Sequence, residues 1–359
     1  MSSLSMAVNP YSDLPASAFW KTGVAQENPY SIRGIYTKKF DISAEDKIAT
    51  AGSCFAQHIS RHLKNNGYSV MDLEPAPPGL PGNLHQMFGF SMYSARYGNI
   101  YTVRQLLQLA QEAAGEWSPQ NYIWEKDGKY FDALRPAIEP EGFDAADEVV
   151  EHRKYHIDRV RELFANLDLF IFTLGLTEMW IHRESGTVYP TAPGTLIGEF
   201  NRDEYQFVNA KFGQIIRDFK RFQKVLKGLR DGRPFKILLT VSPVPLTATA
   251  SGRHVLASTV YSKSILRSVA GQLSLSQKNI DYFPSYEIVT NPRMHSTAFA
   301  DNLRSVRGEA VEAVMKHFFV EHPVLDVQTD QSKSRRRMQK SSSLEQAQCE
   351  EALLEAFSS

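Results

Sequence analysis

The sequence contains very little cysteine and no excess of either charge. Only two of its 359 residues are cysteines, Cys54 and Cys349, which is too few for a disulfide framework and is typical of a protein whose thiols stay reduced. Lysine plus arginine equals aspartate plus glutamate, at 40 each. Because a broad nucleic-acid-binding surface needs a basic surplus, we expect no nucleic-acid partner.

Long apolar runs and a secretion signal are also missing. No uninterrupted apolar stretch approaches the roughly 18 residues of a membrane-spanning helix. The first residues, MSSLSMAVNPYSDLPASAFW, do not combine a basic start with an apolar segment, as a signal peptide would. We therefore expect a cytoplasmic protein that has no membrane span.

Motifs for metals and nucleotides are absent as well. No cysteine and histidine cluster has zinc-ligand spacing, and no Walker loop or G-x-G-x-x-G occurs. His152 and His156 lie four residues apart in EHRKYH, but the glutamate that a zinc-protease helix needs between them is missing. The expectation is a protein without a metal ion or an organic cofactor.

Short apolar segments alternate with amphipathic segments along most of the chain, which predicts an α/β fold with a parallel sheet between two layers of helices. Catalytic and binding residues in such folds lie at the carboxyl ends of the strands. The predicted strands cover residues 47–51, 68–73, 167–176, 235–243 and 280–289, and the predicted helices cover residues 55–67, 100–113, 144–166, 201–230, 257–273 and 306–319.

Composition divides the chain into three parts. We interpret residues 1–45 as an extended arm packed on the body, and residues 46–322 as one large domain. Residues 323–359 change to a polar, partly basic composition that indicates a flexible tail. Within this tail, SLEQAQCEEALLEAF carries apolar residues loosely on one face and predicts a short helix.

The stretch IATAGSCFAQHIS, residues 48–60, reads as a strand, a turn of small residues and the start of a helix. Ser53 and Cys54 occupy the turn. Backbone N–H groups at a helix start stabilise an oxyanion or a thiolate. Either side chain is therefore a candidate nucleophile, and the alternative is a plain turn in which Ser53 caps the helix.

Six motifs follow one another along the chain: AGSCFAQHIS (51–60), SARYGNIYTVRQLLQL (94–109), TLGLTEMW (173–180), SPVPLT (242–247), YSKSILR (261–267) and YFPSYEI (282–288). Together they resemble the GSCFA family, a relative of the SGNH or GDSL hydrolases, over roughly residues 9–320. The resemblance implies a three-layer α/β/α SGNH-hydrolase-like fold with a mainly parallel sheet, and chemistry on acyl esters.

The hydrolase pattern aligns with this chain in two registers, and each register assigns a different nucleophile. Those enzymes place Gly-Asp-Ser after the first strand, and a gap-free match to Gly52-Ser53-Cys54 makes Cys54 the nucleophile. A shift of one residue makes it Ser53 instead. We prefer Cys54, because the gap-free register keeps the face of the following helix aligned. A thiolate also needs less help from a base than an alkoxide does.

The oxyanion-binding blocks of the hydrolases also have counterparts here. Their Gly-x-Asn-Asp falls on Gly175-Leu176-Thr177-Glu178, so Thr177 replaces the asparagine that donates to the oxyanion. The loop glycine of another block falls on Gly98 or on Asn99, just before a predicted helix.

The last hydrolase block, Asp-x-x-His, is incomplete. Asp301 is followed three residues later by Arg304, and no histidine lies at the base position. His254 and His295 are the remaining candidates for the base. Asp301 or Glu178 would orient the chosen histidine, as in a triad.

Two functions are therefore open. The first is an SGNH-type esterase or acyltransferase that acts through a covalent acyl-enzyme on an acylated carbohydrate or another small hydroxyl compound. Arg96, Tyr97 and Trp180 are candidate substrate contacts. The second is a non-catalytic carbohydrate- or protein-binding module on the same fold, favoured by the missing histidine.

Overall fold

The computed structural model describes residues 9–323 together with Leu354. The predicted flexible tail, with its short helix, therefore lies almost entirely outside the described residues. The strands are β1 Ile48–Gly52, β2 Ile123–Lys126, β3 Lys129–Asp132, β4 Leu169–Leu174, β5 Glu178–His182, β6 Val188–Tyr189, β7 Tyr205–Asn209, β8 Lys236–Val241 and β9 Ile280–Tyr282. The helices are α1 Phe55–Asn65, α2 Val103–Ala114, α3 Ala146–Asn166, α4 Phe212–Leu229, α5 Val255–Ser276, α6 Ser285–Thr290, α7 His295–Ala298 and α8 Gly308–Glu321.

A four-stranded, all-parallel sheet forms the centre of the molecule, in the order β1-β4-β8-β9. Its strands are short and almost wholly buried, as expected for a parallel sheet covered on both faces. Alternate residues of β4 enter two separate cores: Phe170 and Phe172 enter one, and Leu169 and Ile171 enter the other.

Helices cover both faces of this sheet. Apolar residues of α2, α3, α4 and α5 share one core with Phe170 and Phe172. Residues of α1 and α8 share the other core with Leu169 and Ile171. The predicted three-layer α/β/α arrangement is confirmed.

Two small antiparallel sheets are added to this framework. One is the β2-β3 hairpin, and the other has the order β6-β5-β7 and follows the carboxyl end of β4. The prediction of continuous helix over residues 201–230 is wrong at its start, because residues 205–209 pair with β5.

Two predicted strands also differ from the structure. Residues 68–73 form only an isolated bridge, from Val70 to Ile48, because the N–H of Leu73 already bonds Ser94 O in another loop. The predicted strand over residues 280–289 stops at Tyr282. Pro284 has no N–H to continue a ladder, and α6 begins directly after it.

The described part of the N-terminal arm, residues 9–45, lies against the body through specific contacts. Ile32 N–H donates to His317 Nε2 at 2.9 Å, and the Tyr36 hydroxyl donates to Asp281 Oδ2 at 2.9 Å. No helix among the described residues is long and apolar enough to cross a membrane.

Candidate functional site

The turn between β1 and α1 places Ser53 and Cys54 at the carboxyl edge of the central sheet. Cys54 is a thiol that occupies the N-cap position of α1 and is only 5% exposed. The Ser53 carbonyl accepts the Ala56 N–H at 2.8 Å and so starts the helix. The first turn of an α-helix presents N–H groups that the helix itself does not use, and these favour negative charge nearby.

The loop 175–177, which follows β4, lies directly against this turn. A Cβ added to Gly175 would be 2.9 Å from Ser53 Cβ and 3.1 Å from the Tyr101 carbonyl oxygen. Any larger residue at this position would push the loop away from the nucleophile candidates. The glycine therefore allows the two strand ends to approach each other closely.

Several hydroxyl groups at this edge, including that of Thr173, are buried without partners among the described residues. Ser53 Oγ and Thr177 Oγ1 have no hydrogen bond within the part of the chain that the structure describes. Leaving a buried hydroxyl unsatisfied costs about 1–3 kcal/mol. Such groups in a native structure call for an explanation, and a ligand that bonds them is one.

Asn99 is held near Ser53 by a hydrogen-bond network. The Tyr93 hydroxyl lies 3.1 Å from Ser53 O and 2.5 Å from Asn99 Oδ1, and Gln57 Nε2 donates to the same Oδ1 at 3.3 Å. Because two donors surround Oδ1, the Asn99 amide nitrogen faces away from them. Gly98 supplies the positive φ, 66°, that turns the chain into Asn99.

Helix α5 contributes two further residues that the sequence did not single out. Ser262 Oγ accepts the Thr177 N–H at 3.1 Å, and Lys263 Nζ donates to the Gly175 carbonyl at 2.8 Å. Both side chains are buried. The available signal was their position on the apolar stripe of α5, three or four residues before Leu266, where a lysine is unexpected.

The two candidate histidine bases lie on the surface. His254 precedes α5 and its Nδ1 accepts the Leu256 N–H at 3.1 Å, so it caps that helix. His295 begins α7, and its ring lies 5.4 Å from that of Phe299. The contacts described for these two imidazoles are therefore with Leu256 and Phe299, on the protein surface.

The Asp301 carboxylate forms an exposed ion pair with Arg307 at 3.0 Å. Arg304, three residues after Asp301, is buried, and its Nε donates to the Pro245 carbonyl at 3.2 Å. Pro245 belongs to the loop that follows β8. A guanidinium group therefore lies beside this strand end.

Glu178 and Trp180 lie on β5, directly after the loop 175–177. They share one face of the strand, since Met179 enters the core on the other. Glu178 Oε1 accepts the Thr249 hydroxyl at 2.8 Å, and desolvation raises the pKa of this carboxyl. Trp180 is half-buried, with its ring 5.2 Å from the exposed ring of Phe200.

Arg96 and Tyr97 are buried and hold the loop 93–99 in place. Arg96 donates to the Phe88 and Ile138 carbonyls and pairs with Glu139 at 2.7 Å. The Tyr97 hydroxyl donates to Thr50 O in β1. Their polar atoms are therefore occupied by the protein itself.

An ion network continues from this loop into the protein. Glu74 Oε2 accepts the Arg96 N–H and bonds His156 Nδ1, both at 2.7 Å. Burial opposes ionisation of Glu74, but His156 and the charge of Arg135 outweigh it and lower its pKa to about 2. Burial, with the charge of Arg135, lowers the pKa of His156 to about 4. The pair is therefore a carboxylate and a neutral imidazole at neutral pH.

Asp132 is the anionic centre of the same network. Its carboxylate accepts from Arg135 at 2.8 Å and from Arg153 at 3.0 Å. Burial opposes its ionisation, yet these two guanidinium groups hold the pKa of Asp132 well below its usual range. Arg135 also donates to the Arg96 carbonyl at 3.3 Å, which connects the network to the site loop.

No group of three or more histidine, cysteine, aspartate or glutamate side chains in the described ranges is arranged to hold a metal ion.

Comparison with known proteins places the chain in a family. No curated protein and no solved structure matches it. The profile of the GSCFA family matches residues 47–318, which contain β1, most of α8 and every element between them. The chain belongs to the GSCFA family.

Proposed function

We propose that the protein transfers an acyl group from an ester, to water or to a second hydroxyl compound, through a thioester on Cys54. The observation that carries this proposal is the position of Cys54. The thiol lies at the first turn of α1, at the carboxyl end of a parallel strand, beside a loop with an unsatisfied hydroxyl on Thr177. These are the parts that a nucleophile and an oxyanion site require.

In the first step, the Cys54 thiolate attacks the acyl carbonyl carbon. The C–S bond forms while the carbonyl electron pair moves onto oxygen, and Asn99, Thr177 and the N–H groups of the α1 start donate to that oxyanion. When the intermediate collapses, the ester C–O bond breaks. The leaving alkoxide takes the proton that Glu178 has accepted from the thiol.

In the second step, water or an acceptor hydroxyl attacks the thioester. Glu178 takes the proton of the attacking group, the C–S bond breaks and the thiolate is released. A carboxyl whose pKa is raised by burial suits this exchange, because its carboxylate is a better proton acceptor than an exposed one. Cys54 must be a thiol for this chemistry, so we place the protein in a reducing compartment such as the cytoplasm.

The face of β5 that carries Glu178 offers a surface for the substrate. Trp180 and Phe200 present aromatic surface on the face of β5 that also carries Glu178. Aromatic rings stack on the apolar faces of sugars, so an acylated carbohydrate fits this position, as does another small hydroxyl compound. We assign Arg96 and Tyr97 to support of the loop rather than to substrate.

A second candidate function is a binding module that lacks catalysis. The observation that favours it is the surface position of His254 and His295, the two candidate histidine bases. In this case the buried hydroxyl groups would bond a carbohydrate or a partner protein without chemistry.

The pH dependence of Cys54 alkylation distinguishes the two candidates. We expect iodoacetamide to react with Cys54 in the folded Cys349→Ala protein, with an apparent thiol pKa well below the roughly 8.5 of a free thiol. The Cys54→Ala, Cys349→Ala double variant gives the background. A Cys54 that stays inert until the protein is unfolded would exclude the thioester mechanism and favour the binding module.

A further inference from the structure

Lys263 is a charged residue that is buried on one face of α5. The residue is 1% exposed, and the residues that follow it on the same face, Leu266, Ala270 and Leu273, are apolar. Burying an ammonium group costs several kcal/mol unless its contacts compensate. An apolar side chain at this position would avoid that cost, which indicates that the charge itself has a role.

The contact of Lys263 is with a loop that lies against the turn between β1 and α1. This turn carries Ser53 and Cys54 and is called the nucleophile turn below. Its Nζ donates to the Gly175 carbonyl at 2.8 Å, and Gly175 is the residue whose added Cβ would meet Ser53 Cβ. The neighbouring Ser262 fixes the Thr177 N–H. Helix α5 therefore bonds both ends of the loop 175–177, and its Lys263 ammonium group lies against the Gly175 carbonyl.

The described elements around Cys54 carry other charged or titratable groups as well, among them Arg61 and His62 on α1. Glu178 follows the loop on β5, and Arg304 lies beside the loop after β8. His58 is on α1, where burial, with the charge of Arg61, lowers its pKa to about 4 and leaves it neutral above that pH. Of these groups, Lys263 contacts the loop 175–177, which lies against the nucleophile turn.

We propose that Lys263 is a positioning residue, which fixes the loop 175–177 beside the nucleophile turn and whose positive charge favours the thiolate form of Cys54. The inference rests on the proposed function, because it takes Cys54 as the nucleophile. An ammonium group in a water-excluded site interacts more strongly with a nearby anion than it would in water. The same charge favours the oxyanion that forms on the acyl group.

The test compares the Cys54 thiol pKa in Lys263→Met and Lys263→Gln, both in the Cys349→Ala background. Glutamine retains a donor for the Gly175 carbonyl but has no charge, so it separates positioning from electrostatics. We expect both variants to raise the thiol pKa by about one unit or more, which slows alkylation about tenfold below the pKa. The exposed Lys224→Met is the control on α4 and leaves the pKa unchanged.

An unchanged thiol pKa in either folded variant would overturn the role of the charge. This result differs from failure of the proposed function, in which Cys54 of the Cys349→Ala protein itself does not react. If both variants fail to fold, the Cε chemical shift of Lys263 replaces them. We expect it to change at the thiol pKa in the Cys349→Ala protein and not when Cys54 is also alanine; no change in the former would overturn the inference.

Discussion

Replacing Cys54 by serine is expected to lower hydrolysis of an activated ester such as p-nitrophenyl acetate by at least about 100-fold. About 100-fold is the low end of what general acid–base catalysis supplies. The proposed base, Glu178, is a carboxylate, which suffices for a thiol but is too weak a base to deprotonate a serine hydroxyl. The two histidines that would be stronger bases, His254 and His295, lie on the surface.

Three further variants make this prediction specific. Cys349→Ala is expected to retain full activity, and Cys54→Ala to lose it. His254→Ala and Ser53→Ala decide between the open sequence alternatives, because the proposal does not use His254 as the base and predicts that acylation stays on Cys54 without the Ser53 hydroxyl. An active Cys54→Ser together with an inactive Ser53→Ala would assign the nucleophile to Ser53.

Replacing Asp132 by alanine is expected to destabilise the protein by about 3–5 kcal/mol, the usual cost of removing one partner from a buried ion pair. The substitution leaves Arg135 and Arg153 buried beside each other without their shared carboxylate. The free energy of unfolding is measured by urea denaturation at pH 7, where Asp132 is ionised.

Asp144→Ala is the matched control for that experiment. Asp144 also pairs with a basic residue, Lys129, but its side chain is 83% exposed. Exposed ion pairs contribute about 0–1 kcal/mol, so this variant should unfold close to the wild type. A loss below about 1 kcal/mol in Asp132→Ala would mean that the network does not support the fold.

The layers of the fold were predictable because their signals are local. Continuous apolar runs such as LFIFTL in β4 predict buried parallel strands, and the structure confirms them. The failures lie where distant pairing decides. Residues 205–209 became a strand because β5 offers them a partner, and a one-dimensional pattern does not contain that information.

The candidate site was predictable only in part, for a similar reason. The turn with Ser53 and Cys54 follows from a strand, small residues and a helix in one short stretch. Lys263 lies 88 residues from Gly175 in the sequence and meets it only through the packing of α5 on the sheet. Arg96 was predicted to contact the substrate, but its contacts with buried carbonyl groups depend on the three-dimensional fold.

The histidine question illustrates what sequence spacing does not show. His254 follows a strand end in the sequence, which made it a candidate base. In the structure its Nδ1 accepts the Leu256 N–H and caps α5, and the residue is exposed. A residue can follow the correct strand and still face away from the site.

The most direct test of the account is to trap and locate the acyl group. The folded protein is exposed briefly to p-nitrophenyl acetate, quenched with acid and digested, and the acetylated residue is identified by mass spectrometry. Our account predicts a single acetyl thioester on Cys54 that disappears when the protein is unfolded before exposure. An acetyl ester on Ser53, or no acetylation that depends on folding, would contradict it.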